Sequence, residues 1–215
     1  MDSIVFLKEL KKNNNKQWFE SHKQDYENLL LTPLKNLVAD IGNFMLSIDS
    51  DFEIRPAVDK TISRIYRDTR FSRDKSPYKT SLWVTFKRPK KNWKDAPAYF
   101  FEISGNYYRY GMGFYSAMPN TMKKFRDKID KNPDEFNKTI SFFSKQNIFV
   151  LEGKKYKRIF DKNIATELQE WYQRKNFYLV CNKKQDDNLF SNKLTDELIK
   201  GYNLLSGYYK YLLKL

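Results

Sequence analysis

Residues 97–114 read PAYFFEISGNYYRYGMGF, and the period of this stretch decides the fold class. Tyr99, Phe101 and Ile103 recur at every second position, as do Tyr108, Tyr110, Met112 and Phe114 beyond Ser104-Gly105-Asn106. A spacing of two places side chains on one face of a strand, and Ser-Gly-Asn supplies a tight turn, so the stretch predicts an antiparallel hairpin. Leu82, Val84 and Phe86 repeat the same period upstream, and residues 61–67 are expected to form a further strand before them.

On both sides of these strands the period becomes helical. Residues 3–48 predict two or three helices: Phe6, Leu7 and Leu10 form one apolar edge, Asn13-Asn14-Asn15 is a break able to cap, and Trp18, Phe19, Tyr26, Leu29 and Leu30 follow at helical spacing. Pro33 suits the first turn of the next helix, which carries Leu34, Leu37, Val38, Ile41 and Met45. Past the sheet, Met118, Met122, Phe125 and Ile129 mark an amphipathic helix. Asn132-Pro133-Asp134-Glu135 starts another, continued by Phe136, Ile140 and Phe143. Residues 147–162 read as irregular, 164–174 as helix, 177–181 as strand and 193–213 as a last helix through Leu194, Leu198, Tyr202, Leu205 and Leu212. Strands and helices come in blocks, which predicts an α+β fold, an antiparallel sheet packed with N-terminal and C-terminal helices, as one domain over residues 1–215.

The 215 residues suffice to bury a sizeable core, and 17 Phe, 15 Tyr and 4 Trp predict that rings build it. Forty basic against 26 acidic residues give a net charge of +14, which favours nucleic acid, anionic lipid or phosphorylated metabolites as partners. Lysine is nevertheless spread along the chain beside many Asn and Tyr, as compositional bias alone produces, so the total charge assigns no partner. Cys181, the single cysteine, excludes an internal disulfide and a Cys-based zinc site and reads as a buried thiol. The start lacks a basic segment leading into a long apolar run, and no stretch approaches the ~20 apolar residues that span a bilayer, so the expected location is cytoplasmic, with no membrane partner.

Charge concentrates at residues 64–79, RIYRDTRFSRDKSPYK, where six cations face two carboxylates. About eleven residues with almost no apolar content separate its flanking extended segments, whereas hairpin loops usually take about 2 to 5. Guanidinium forks match phosphate or carboxylate oxygens with paired donors. The expected site is therefore Arg64, Arg67 and Arg70 clamping an anion beside Arg73, with Lys75 and Lys79 adding point charge and Tyr78 a directional hydroxyl. Asp68 and Asp74 would orient the arginines or serve as a general base.

Walker, GxGxxG, HExxH and GxSxG patterns are absent, and His22, four residues from both Trp18 and Tyr26, reads as structural. Asp68 and Asp74 make a poor magnesium site because the surrounding cations compete, so no metal is assigned, and the sequence names no cofactor.

The string R-x-x-R-D-x-R-F-S-x-D-K-x-P-Y-K, with Asn13-Asn14 and Trp18-Phe19 near the start and Tyr110-Gly111-Met112-Gly113 before Pro119, resembles the family catalogued as domain of unknown function 2461. The likeness runs over nearly the whole chain and includes Arg126 and Tyr156-Lys157-Arg158. It implies a cytosolic α+β domain and marks Asn14, Trp18, Phe19, Arg64, Arg67, Asp68, Arg70, Phe71, Asp74, Lys75, Pro77, Tyr78, Lys79, Gly113 and Arg126, while supplying no chemistry. This chain departs from it in its richness in lysine and asparagine.

Function then divides into three expectations. The first is a domain that binds a phosphate- or carboxylate-bearing small molecule through the 64–79 hairpin, in a cleft against the N-terminal helices, either as a binder or as an enzyme acting on it. The second is a nucleic-acid or partner-binding module using the basic surface, KRPKKNWKD at 87–95 and exposed rings such as Trp83, Trp93 or Tyr115. The third is a salt-bridge clasp that only holds helices on the sheet.

Overall fold

The structure, a computed structural model, describes residues 2–89, 91, 93–157 and 164–215. In chain order it contains α1 (Ser3–Lys12), α2 (Lys16–Ser21), α3 (Lys23–Tyr26), α4 (Thr32–Ile48), β1 (Ser81–Phe86), β2 (Pro97–Ser104), β3 (Tyr107–Phe114), α5 (Pro119–Lys131), α6 (Pro133–Ile140), β4 (Val150–Glu152), α7 (Thr166–Tyr172), β5 (Tyr178–Lys184) and α8 (Lys193–Leu212). The strands form one five-stranded antiparallel sheet in the order β1-β2-β3-β5-β4, so the fold is α+β. The chain divides into two compact units. Among the described residues, no helix is long and apolar enough to cross a membrane.

The first unit comprises Met1–Phe86, Phe100–Tyr110 and Asn182–Ile199. Its core takes Phe6, Leu7 and Leu10 from α1, Leu34, Val38, Ile41 and Met45 from α4, and Leu82, Val84 and Phe86 from β1, all buried as their periods predict. Each asparagine of the 13–15 triplet has a separate task. Asn13 ends α1 by donating from its side chain to the Glu9 carbonyl at 3.1 Å, Asn15 caps α2 by accepting from the Trp18 N–H at 3.0 Å, and Asn14 turns toward the basic hairpin. A π-helical turn at Glu27–Leu31 joins α3 to α4, with Pro33 in the first turn of α4. His22 is half-buried and stacks on Trp18 at 4.0 Å, its Nδ1 2.8 Å from the Trp18 carbonyl.

The strand expected at 61–67 reduces to single bridges, Ile62 with Val84 and Tyr66 with Tyr78. The ladder against β1 stops because the Trp83 N–H donates to the Ser63 hydroxyl at 3.0 Å instead of a carbonyl. Beyond it the chain pairs with its own returning arm.

The second unit comprises Lys87–Tyr99, Gly111–Cys181 and Lys200–Leu215. Its core is built of rings: Phe125 lies 4.9 Å from Phe177 and 5.5 Å from Phe136, and Trp171 lies 5.2 Å from Tyr208. Asn132 caps α6 by accepting from the Glu135 N–H at 3.1 Å, and Cys181 is buried. Gly111 and Gly113 let β3 approach β5 closely. A Cβ on Gly111 would stand 1.9 Å from the Leu179 carbonyl oxygen, and one on Gly113 would stand 2.4 Å from the Tyr178 Cα.

Four sequence expectations shift here. α6 ends at Ile140, so Phe143 falls in a separate 3-10 turn, Phe143–Lys145. Met118 precedes α5 and is exposed rather than packed. β5 runs on to Lys184. Within the stretch expected to be irregular, residues 150–152 form β4, with Val150 opposite Val180 and Glu152 opposite Tyr178. Buried Arg174 makes that strand possible, donating to the carbonyls of Gly153 at 2.8 Å and Leu151 at 2.9 Å. Gly153 turns the chain at a φ of 125°, in the region that favours glycine. Arg158 lies outside the described residues, as do 159–163.

Candidate functional site

The 64–79 segment is a hairpin closed at its base by backbone pairing. The Arg67 N–H donates to the Pro77 carbonyl and the Lys79 N–H to the Ile65 carbonyl, both at 2.8 Å. Ile65 is buried below and the Tyr78 ring lies flat on Phe19, centroids 4.1 Å apart and planes 22° apart. Tyr66 stands beside them, 5.4 Å from Tyr78. Asn14 then acts as a surrogate strand: its amide donates to the Tyr78 carbonyl at 3.0 Å and accepts from the Tyr78 N–H at 3.0 Å. One side chain thus satisfies both backbone groups of a buried residue and ties the hairpin to the α1–α2 junction.

Beyond this base the polar side chains sort themselves into pairs. Asp68 receives Arg70 in a fork, from Nε at 2.9 Å and from Nη2 at 2.7 Å. Asp74 receives Arg67, the Ser76 hydroxyl and the Ser76 N–H. These donors hold both carboxyls ionised. The Arg70 side chain, then its N–H, keeps Asp68 well below the usual carboxylate range, and Ser76 first, then Arg67, brings Asp74 down to about 2. Lys75 donates to the Thr69 carbonyl at 2.9 Å, and Lys79 to the Arg64 carbonyl at 2.7 Å. Burial, and then the charge of Arg64, lowers the pKa of Lys79 against the opposing pull of Asp59.

Two cations remain over. Arg64 and Arg73 are exposed, and among the described residues neither guanidinium has a hydrogen-bond or ion-pair partner. Each lysine also keeps donors beyond the one it spends on a carbonyl. At the tip Phe71 is 94% exposed, with the Arg70 guanidinium 5.7 Å from its ring centre.

The structure therefore brings Arg64, Arg67, Asp68, Arg70, Arg73, Asp74, Lys75 and Lys79 onto one hairpin, with Tyr78 buried at its base. Burial, followed by Tyr66 and Glu20, raises the pKa of Tyr78, as expected of a ring packed inward. Both acid–base pairs lie within the hairpin, and the link to the N-terminal helices runs through Asn14 and Phe19. Gly113 and Arg126 belong to the second unit, where Arg126 is buried with its guanidinium 5.9 Å from the rings of both Tyr156 and Tyr172. Sequence reading missed Ser76, the main stabiliser of the Asp74 charge, and the strand-like use of Asn14. The signal for Ser76 was its position two after Asp74, where an Asx turn brings hydroxyl and N–H onto the carboxylate. Asn14 answers a partner 64 positions away, which no local pattern encodes. Among the described residues, no three His, Cys, Asp or Glu side chains gather as metal ligands would.

A family model described as conserved hypothetical protein (DUF2461) matches residues 2–211, nearly the whole chain. The search of curated proteins found no match.

Proposed function

The chain belongs to the DUF2461 family of conserved hypothetical proteins, and from that premise we propose that the 64–79 hairpin binds a phosphate- or carboxylate-bearing small molecule. The observation that carries this reading is the unequal use of its arginines: Arg67 and Arg70 are anchored by Asp74 and Asp68, whereas Arg64 and Arg73 are left with their donors toward solvent. Anchored guanidiniums are pre-oriented, so an incoming anion orders fewer side chains. The unspent donors of Arg64 and Arg73 match anionic oxygens in pairs, and Lys75 and Lys79 add charge that needs no fixed geometry. The carboxylates suit orientation better than proton transfer. Carboxyls held this far below neutrality carry almost no proton to exchange near it. Tyr78 serves as the anchor of the hairpin in this reading, with its ring on Phe19.

The test is thermal stability against inorganic phosphate, pyrophosphate, nucleotides, sugar phosphates and dicarboxylates, comparing wild type with Arg64→Ala/Arg73→Ala. Among the described residues neither guanidinium has a hydrogen bond or ion pair to lose, so the variant is expected to melt within about a degree of wild type, surface changes costing little. A ligand at about 100 times its Kd should stabilise the wild type by about 2.7 kcal/mol and raise Tm by several degrees. The variant should lose most of that shift. Equal protection of both proteins by every anion would end the proposal.

A further inference from the structure

Residues 87–96 connect β1 to β2 within the second unit; Lys90 and Asn92 lie outside the described residues, and the others present a different surface. Trp93 and Tyr115 lie 5.7 Å apart with planes at 44°. Lys87 Nζ stands 3.9 Å from the Trp93 ring centre and Lys94 Nζ 5.5 Å from that of Tyr115, so each ring carries a cation over one face and leaves the other for stacking. Tyr115 is 63% and Met118 52% exposed, Trp93 is half-buried, and Lys91 and Lys94 are exposed.

The acid of this stretch is committed elsewhere. Asp95 accepts from the Met118 N–H at 2.6 Å and from the Thr121 hydroxyl at 2.7 Å, at the start of α5. Its charge is thereby spent on a helix N-terminus, and the connection is pinned to α5. The Ser116 N–H donating to the Lys94 carbonyl at 2.9 Å adds a second tie. The rings are therefore held in place before any partner arrives.

We infer that Trp93, Tyr115, Lys87 and Lys94 form a binding platform for single-stranded nucleic acid. Such strands are held by base stacking on aromatic faces together with phosphate neutralisation by nearby cations, and a ring with a lysine beside it supplies both to one nucleotide. An anionic lipid surface fits less well. Interfacial insertion needs apolar side chains that reach past the charges, whereas Trp93 is half-buried and its exposed neighbours are a tyrosine and one methionine. Duplex DNA also fits poorly because its bases are already stacked. This platform is independent of the 64–79 hairpin and involves none of its residues.

The experiment measures fluorescence anisotropy of labelled oligo(dT) and oligo(U), roughly 15 nucleotides long to cover one such platform, over a range of salt. Log affinity should fall linearly with log salt, by about 0.7 per phosphate neutralised on a single strand. Tyr115→Ala and Trp93→Ala should each weaken binding about tenfold or more while leaving that slope unchanged. Lys87→Gln/Lys94→Gln should flatten the slope by about 1.4 in all. Tyr115 is exposed, so Tyr115→Ala keeps the test decisive if Trp93→Ala fails to fold. Unchanged affinity in Tyr115→Ala, equal binding of a duplex, or loss of binding in Arg64→Ala/Arg73→Ala alone would overturn the inference. So would Trp93-dependent binding to vesicles of equal parts phosphatidylcholine and phosphatidylserine with no oligonucleotide bound, which would assign the platform to a lipid surface.

Discussion

Asp74 shows how a single carboxylate can be held ionised at an exposed position. Its largest support is Ser76, through hydroxyl and N–H, with the Arg67 guanidinium after it. Ser76→Ala should therefore raise the Asp74 pKa from about 2 toward the ordinary value near 3.9, followed by side-chain carboxyl NMR during an acid titration. Because the folded pKa lies below the unfolded one, the stabilisation is complete above about pH 4 and is lost as the pH falls toward 2. The opposite case is Tyr208, whose buried hydroxyl has no hydrogen-bond partner among the described residues and whose pKa burial raises well above its ordinary value. A buried polar group left unpaired costs about 1 to 3 kcal/mol, so Tyr208→Phe should leave stability unchanged or increase it by about 1 kcal/mol in urea unfolding. A clear loss of stability would show that the hydroxyl has a partner. The ring itself should not be removed, since it packs 5.2 Å from Trp171.

At the scale of elements, the hairpin and the β3–β5 pairing are held by opposite means. The hairpin is tied to its neighbours by one amide and one stacked ring, and its charged pairs close it on itself. β3 and β5 are held by backbone proximity, with glycine at the two positions where a side chain would collide with the neighbouring main chain. Gly111→Ala forces the strands apart because the colliding atom is a carbonyl that cannot rotate away. Its cost should be about 1 to 3 kcal/mol, a fall in Tm of several degrees by calorimetry. Gly207→Ala is the control. A Cβ there meets nothing within 4 Å, and it lies inside α8, so that change should stabilise by up to about 1 kcal/mol.

Over the whole molecule, rings take the place that aliphatic side chains hold in many cores. Tyr99, Tyr108, Tyr110, Tyr202, Tyr208 and Tyr209 are fully buried, and so are Phe6, Phe19, Phe101, Phe114 and Phe125. Phe125→Ala should consequently cost about 3 to 5 kcal/mol, measured by chemical unfolding, because the rings around Phe125 are large and rigid and collapse poorly into the space it leaves. The 97–114 alternation, the α4 stripe and the Asn132-Pro133 start were legible in the chain because burial on one face and local capping depend on neighbours within a few residues. The same reasoning located the basic hairpin, since its charge density is a property of contiguous sequence. It could not give the 61–67 segment its single bridges, because whether an extended segment gains a ladder depends on a partner elsewhere in the chain. Nor could it foresee β4, which relies on Arg174 reaching two carbonyls from 21 and 23 positions away. By itself, then, the sequence determined periodicity, caps and the place where cations crowd. Asp68 claims Arg70, two positions away, through local geometry, but only the folded hairpin brings Arg67 to Asp74, seven positions away, and leaves Arg64 and Arg73 with their donors, because a guanidinium pairs with whatever carboxylate folding brings within about 3 Å of it.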